Sequence, residues 1–168
     1  MNETAPRPHM VTLRKGSADD LDAVVEIMNH AFDPRYGEAW TRSQCAGILP
    51  MSGVSLTLAD DAAGPVGFAL HRIVAGEAEL LLLAVARQAQ RQGIGGKLLE
   101  GFVKDSAAAG ARQVHLEVRE NNVALQMYRA AGFTLVGRRP DYYRGNGGGK
   151  FDALTFARSL SVPTRDGI

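Results

Sequence analysis

The chain has 168 residues, 45% hydrophobic and 22% charged, with 19 basic against 18 acidic side chains and a net charge of +1. This is enough for one globular domain, and a balance so near zero gives no reason to expect a nucleic-acid or membrane partner. A single cysteine, Cys45, excludes an intrachain disulfide and a cysteine metal cluster, and no apolar run approaches the ~20 residues that span a bilayer.

Residues 1–9 contain Pro6 and Pro8 and no apolar segment, so they read as a disordered extension, neither helix nor secretion signal. A domain over 10–160 and a loose tail over 161–168 follow, and the cytoplasm is the expected location. Residues 11–15 form a first short strand. Ser17 with Asp20 then opens a helix whose buried face is Leu21, Val24, Val25 and Met28. Pro34 and Gly37 break the pattern between Phe32 and Trp40. Thr41 with Gln44 caps a second helix that Pro50 stops, and Cys45 on it reads as a small buried hydrophobe.

From Val54 the period changes to two. Strands are expected over 54–58, 66–73 and 77–86, joined by turns at 60–64 and 75–76, as three antiparallel strands in the middle of a sheet. The third ends in an apolar run, Leu80 to Ala86, that reads as a buried strand. Immediately after it stands Gln90-Arg91-Gln92-Gly93-Ile94-Gly95-Gly96-Lys97, opening an amphipathic helix with Ile94, Leu98, Leu99, Phe102 and Val103 on its apolar face.

A strand, a glycine-rich turn and a helix start can hold a phosphate. The first helical N–H groups have no partner within the helix, and the macrodipole is positive there. The Walker pattern fails because Leu98 follows Lys97, and the dinucleotide fingerprint fails because Leu98 stands where its third glycine belongs. Taken alone, the remaining Gln-x-x-Gly-x-Gly is equally a phosphate cradle or ordinary punctuation.

Residues 113–119 alternate: Val114, Leu116 and Val118 on one face, His115, Glu117 and Arg119 on the other. The polar face fits either a solvated strand or a wet cleft inside the sheet. A helix over 122–131 follows, with Asn121 or Asn122 as its cap and Leu125, Tyr128 and Gly132 on one side. Tyr128 on such a stripe reads as core or as a catalytic hydroxyl. A strand over 133–138, a loop over 145–149 and a last strand over 150–158 complete the chain.

The Gln-x-x-Gly-x-Gly loop resembles the pyrophosphate loop of the GCN5-related N-acetyltransferases, or GNAT superfamily. Leu116-Glu117-Val118-Arg119, Asn122, Ala124-Leu125, Tyr128, Gly132-Phe133, the run Arg138 to Tyr143 and Asp152-Ala153-Leu154 are similar to the bacterial ribosomal-protein-alanine N-acetyltransferases within it. The resemblance implies an α/β (α+β) fold with a mixed, mostly antiparallel sheet of about seven strands and four helices, in the order β-α-α-β-β-β-α-β-α-β-β. It implies acetyl-CoA as co-substrate and no metal. Leu83, Ala84 and Val85 would pair with the pantetheine arm; Arg91, Gln92, Gly93, Ile94, Gly95 and Gly96 would cradle the pyrophosphate, with Asn122 a further contact. Glu117 matches the family's proton acceptor and Tyr128 its proton donor. Leu82 departs from the pattern, where the family usually has Asn.

Trp40, Tyr142 and Tyr143 are candidate walls of the acceptor channel. The expected substrate is a protein N-terminus, an alanine of a small-subunit ribosomal protein, met by a monomer or weak dimer without nucleic acid or membrane. Lysine side chains, small amines, or a non-catalytic acyl-CoA-binding role are the alternatives.

Overall fold

Ser17 and Thr41 both act as capping boxes. The Ser17 N–H donates to the Asp20 carboxylate at 2.9 Å, and Thr41 and Gln44 exchange bonds of 2.8 and 3.1 Å. Each satisfies backbone donors that a helix start would otherwise leave orphaned. The computed structural model describes residues 10–161; the expectations for 1–9 and for the tail, Ser161 apart, fall outside it.

Within that range the elements are β1 (Thr12–Lys15), α1 (Leu21–Ala31), α2 (Arg42–Ile48), β2 (Val54–Asp61), β3 (Gly64–Val74), β4 (Glu77–Val85), α3 (Ile94–Ala108), β5 (Gln113–Arg119), α4 (Leu125–Ala130), β6 (Thr134–Arg144) and β7 (Lys150–Ser159). The expected order is met element for element. Seven strands form one sheet in the order β1-β2-β3-β4-β5-β7-β6. Every neighbouring pair is antiparallel except β4 with β5, which run parallel.

Two cores sandwich the sheet. Leu21, Val24, Ile27 and Met28 of α1 and Cys45 of α2 pack with Leu58, Phe68, Leu82 and Ala84 on one face. Ile94, Leu98 and Phe102 of α3 and Tyr128 of α4 pack with Leu116, Phe133 and Phe156 on the other. Three details differ from the sequence reading. Ile27, not Val25, completes the buried face of α1. Helix α4 starts at Leu125, because Asn122 closes a turn before it: the Asn122 Oδ1 accepts the Ala124 N–H at 2.8 Å. Strand β6 runs on to Arg144 through a bulge that skips from Arg139 to Tyr143 in the register with β7.

The decisive feature is the middle of the sheet. Strand β4 pairs with β5 only from Glu77 to Leu80, opposite Gln113 to Leu116. At that point the β3–β4 register slips, with Leu70 opposite Leu82 and His71 opposite Leu80. Leu81 is the extra residue, and both Leu81 and Leu82 turn to the α1–α2 core while Leu80 and Leu83 belong to the other. A bulge bends the strand that carries it. Beyond Leu80, β4 and β5 diverge, and the β5-facing edge of Leu81–Val85 is left without a ladder.

Candidate active site

The splay opens onto the start of α3. Gln90 ties the connecting loop to the end of β4, its Nε2 donating to the Val85 carbonyl at 2.9 Å. Arg91 (φ 62°) and Gly93 (φ 80°) both take left-handed backbone, a conformation that costs a residue with a Cβ far more than it costs glycine. Gly93 is the N-cap of α3, with no side chain capping it. The first N–H groups of a helix of fifteen residues therefore point at the cleft unpartnered by side chains. A Cβ at Gly95 would lie 3.1 Å from the Met127 sulfur, and one at Gly93 or Gly96 would stand in open space. Bare backbone, positive helix end, exposed Arg91 and the free edge of Leu83, Ala84 and Val85 thus face one cleft, and the donor set fits a diphosphate carrying an amide-containing arm. Leu82, where the family pattern has Asn, is 6% exposed in the α1–α2 core, which is why it is apolar.

Across the cleft stand the two candidate proton carriers. Glu117 on β5 is 15% exposed at its side chain and bound by Arg139 Nε at 2.7 Å, so its carboxylate is held by a cation. Tyr128 is buried among the α3–α4 core with its ring edge-on to Phe133. Burial pushes its hydroxyl well above the usual phenol range, and the charge of Glu38 adds to this. Burial likewise raises the Tyr143 hydroxyl, with Glu38, Glu117, Tyr142 and Tyr128 contributing in that order. Tyr142, half exposed, is pushed up by partial burial and by the charge of Glu117. Glu117, Tyr128, Tyr142 and Tyr143 are therefore neighbours. The β6 bulge brings the last two there, and it is pinned by Asp152, which accepts the Asp141 N–H at 3.0 Å and Arg138 at 2.7 Å.

Sequence reading missed Glu38. The side chain is 9% exposed and paired with Arg119, 10% exposed, at 2.9 Å; it also accepts from Asn122 Nδ2 at 2.7 Å. Removing one member of such a buried pair costs about 3–5 kcal/mol. The Arg119 guanidinium lies 3.7 Å from the Tyr36 ring centroid, and Tyr36 meets Phe151 edge-on at 5.1 Å. Arg119 on the cleft side of β5 was the available signal: a buried cation needs a carboxylate, and Glu38 is the acid between Pro34 and Trp40.

This knot roofs the polar face of β5, so the cleft is drier than its sequence suggests. The segment from Asp33 to Glu38 also touches the β6–β7 hairpin. The Asn146 N–H donates to the Pro34 carbonyl at 3.2 Å. A Cβ on Gly145 would come within 1.7 Å of the Arg35 carbonyl oxygen, and one on Gly37 within 2.0 Å of that of Arg144. The two candidate acceptor walls are thus one arch. Trp40 is half-buried against the α1–α2 core, and the Asn122 amide is engaged by Glu38 and Ala124.

The acetyltransferase (GNAT) domain family matches residues 52–135, and the [ribosomal protein bS18]-alanine N-acetyltransferase of Salmonella typhimurium is 32% identical over 157 residues, 91% of this chain and 100% of that one. The chain belongs to the GNAT acetyltransferase family. The enzyme of the same name from Escherichia coli K12 is 35% identical over 96 residues, 56% of this GNAT chain and 64% of that relative's length. The crystal structure of the Escherichia coli ribosomal-protein-S18-alanine N-acetyltransferase superposes with a TM-score of 0.82 at 27% identity, covering 95% of this GNAT chain and 99% of that one. No described helix is long and apolar enough to cross a membrane, and no group of potential metal ligands occurs among the described residues.

Proposed function

We propose that this chain is an acetyl-CoA-dependent N-acetyltransferase that modifies the N-terminal α-amine, an alanine, of a small-subunit ribosomal protein in the cytoplasm. The observation that carries the reading is the arrest of β4–β5 pairing at Leu80 beside the uncapped start of α3. The names of the relatives above support the acceptor.

The co-substrate supplies an acetyl group activated as a thioester. Backbone N–H groups of Arg91 to Gly96 hold its pyrophosphate, and the free edge of Leu83, Ala84 and Val85 pairs with its amide arm. An N–H on that same edge donates to the carbonyl oxygen as negative charge grows there. Asn122 contributes by fixing the turn beside the arm. Glu117, directly or through a water, takes the proton from the attacking amine. Tyr128 gives its proton to the sulfur as the carbon–sulfur bond breaks. Its raised hydroxyl is protonated at neutral pH, and the same dry surroundings raise the affinity of the departing thiolate for that proton.

An α-amine titrates near ~7.7–8.0 and a lysine near ~10.4. At pH 7 roughly a tenth of the first is free base, against under a thousandth of the second, so a single carboxylate suffices for an N-terminus. The arch of Tyr36, Glu38, Gly37 and Gly145, with Tyr142 and Tyr143, supports a slender, extended acceptor. Peptides carrying a free N-terminal Ala, a free N-terminal Ser, or only a Lys side-chain amine separate the acceptors by mass spectrometry. Acetylation is expected on the first two, faster on Ala; transfer confined to Lys would overturn the acceptor assignment.

A further inference from the structure

No proton transfer described so far uses Glu38, yet its carboxylate is buried and accepts from both Arg119 and Asn122. Its loop is joined to α4 by a path of three hydrogen bonds. Asn122 Nδ2 donates to Glu38 Oε2 at 2.7 Å, the Ala124 N–H donates to Asn122 Oδ1 at 2.8 Å, and the Tyr128 N–H donates to the Ala124 carbonyl at 3.1 Å. Helix α4 has six residues, too few to be stable without outside support. It has no side-chain cap at its own N-cap, Ala124, and the turn before it holds Asn121 in left-handed backbone at φ 61°. The support is the Asn122 amide, and Glu38 fixes which way that amide faces. Arg119 holds the other carboxylate oxygen at 2.9 Å and itself donates to the Glu120 carbonyl at 2.9 Å. Both ends of the turn from β5 to α4 are therefore clamped by one carboxylate from a distant loop.

We infer that Glu38 is a positioning residue for catalysis, setting the Tyr128 hydroxyl through Asn122 and the first turn of α4. The inference rests on the acetyltransferase reading above. It separates two roles that a loop anchor would blur. An anchor would act on the acceptor's KM; a positioning residue for Tyr128 acts on kcat and does nothing once Tyr128 has lost its hydroxyl.

The test is a double-mutant cycle on the purified chain with an N-terminal Ala peptide. Tyr128→Phe lowers kcat tenfold or more, with the calorimetric Kd for acetyl-CoA unchanged within twofold. Glu38→Ala lowers kcat about tenfold, with acceptor KM and that Kd within twofold, and speeds amide exchange across Leu125–Ala130 but not across α3. The double variant is no slower than Tyr128→Phe within twofold. Glu38→Gln, whose carbonyl oxygen can still accept from Asn122, recovers most of the lost kcat and the slow exchange. Should the orphaned Arg119 unfold Glu38→Ala, Glu38→Ala/Arg119→Met carries the same comparison, since it leaves no unpaired buried cation. Additive losses, a loss confined to acceptor KM, an unchanged kcat, or Gln no better than Ala would each overturn the inference. Absence of transfer by the unaltered chain would instead overturn the reading beneath it.

Discussion

His71 is 2% exposed on β3, its ring 5.2 Å from that of Phe102, and its Nδ1 has no hydrogen-bond partner. Burial lowers its pKa, only partly opposed by the charge of Asp105. The folded chain therefore resists a proton that the unfolded chain accepts near its ordinary value of ~6.5. Stability is full above that pH and declines as pH falls from it toward the lowered folded value. Thermal midpoints of the wild type should drop more steeply between pH 7 and 5 than those of His71→Leu; equal slopes would contradict this. At the same scale, Glu117, Tyr128 and the glycine loop stand in local patterns (a strand alternation, a helical stripe, a spacing) that made them candidates, and the family resemblance supplied the roles expected of them. Glu38 has none. Its partner Arg119 lies 81 positions away, and only folding brings the two together.

Among the elements, the helix starts were legible because capping boxes are local chemistry, as Ser17–Asp20 and Thr41–Gln44 show. The strand expected over 133–138 stops just before Pro140 and Asp141, whereas β6 runs on to Arg144. In the fold these two residues occupy a bulge held by Asp152, and pairing resumes at Tyr143 opposite Phe151. The contact between the Asp33–Glu38 segment and the β6–β7 hairpin is backbone on backbone at Gly37 and Gly145, and sequence alone gives no sign of it. Gly145→Ala would drive a methyl into the Arg35 carbonyl and spring the arch. The expected result is an acceptor KM raised at least fivefold while acetyl-CoA binds as before. An unaltered KM would show that the arch does not shape the acceptor channel.

For the whole molecule, the order of strands and helices followed from period changes and glycine turns, whereas the splay that makes the site did not. Leu80, Leu81, Leu82 and Leu83 are identical, so no alternation betrays the bulge that moves Leu81 and Leu82 to the same face. The parallel pairing of β4 with β5 through Leu80 and its failure beyond are tertiary facts. Both cores meet at that strand, and the splay proposed to hold the coenzyme begins where one extra residue stands in it.

Calorimetric titration of the purified chain with acetyl-CoA, beside Gly93→Val, tests the central claim most directly. Gly93 sits at φ 80° with open space where a Cβ would be, so valine strains the loop and fills the approach to the α3 backbone amides. Saturable 1:1 binding by the wild type, weakened at least a hundredfold in the variant, is the expected result. Equal affinity in the two proteins, or no heat from either, would contradict the account.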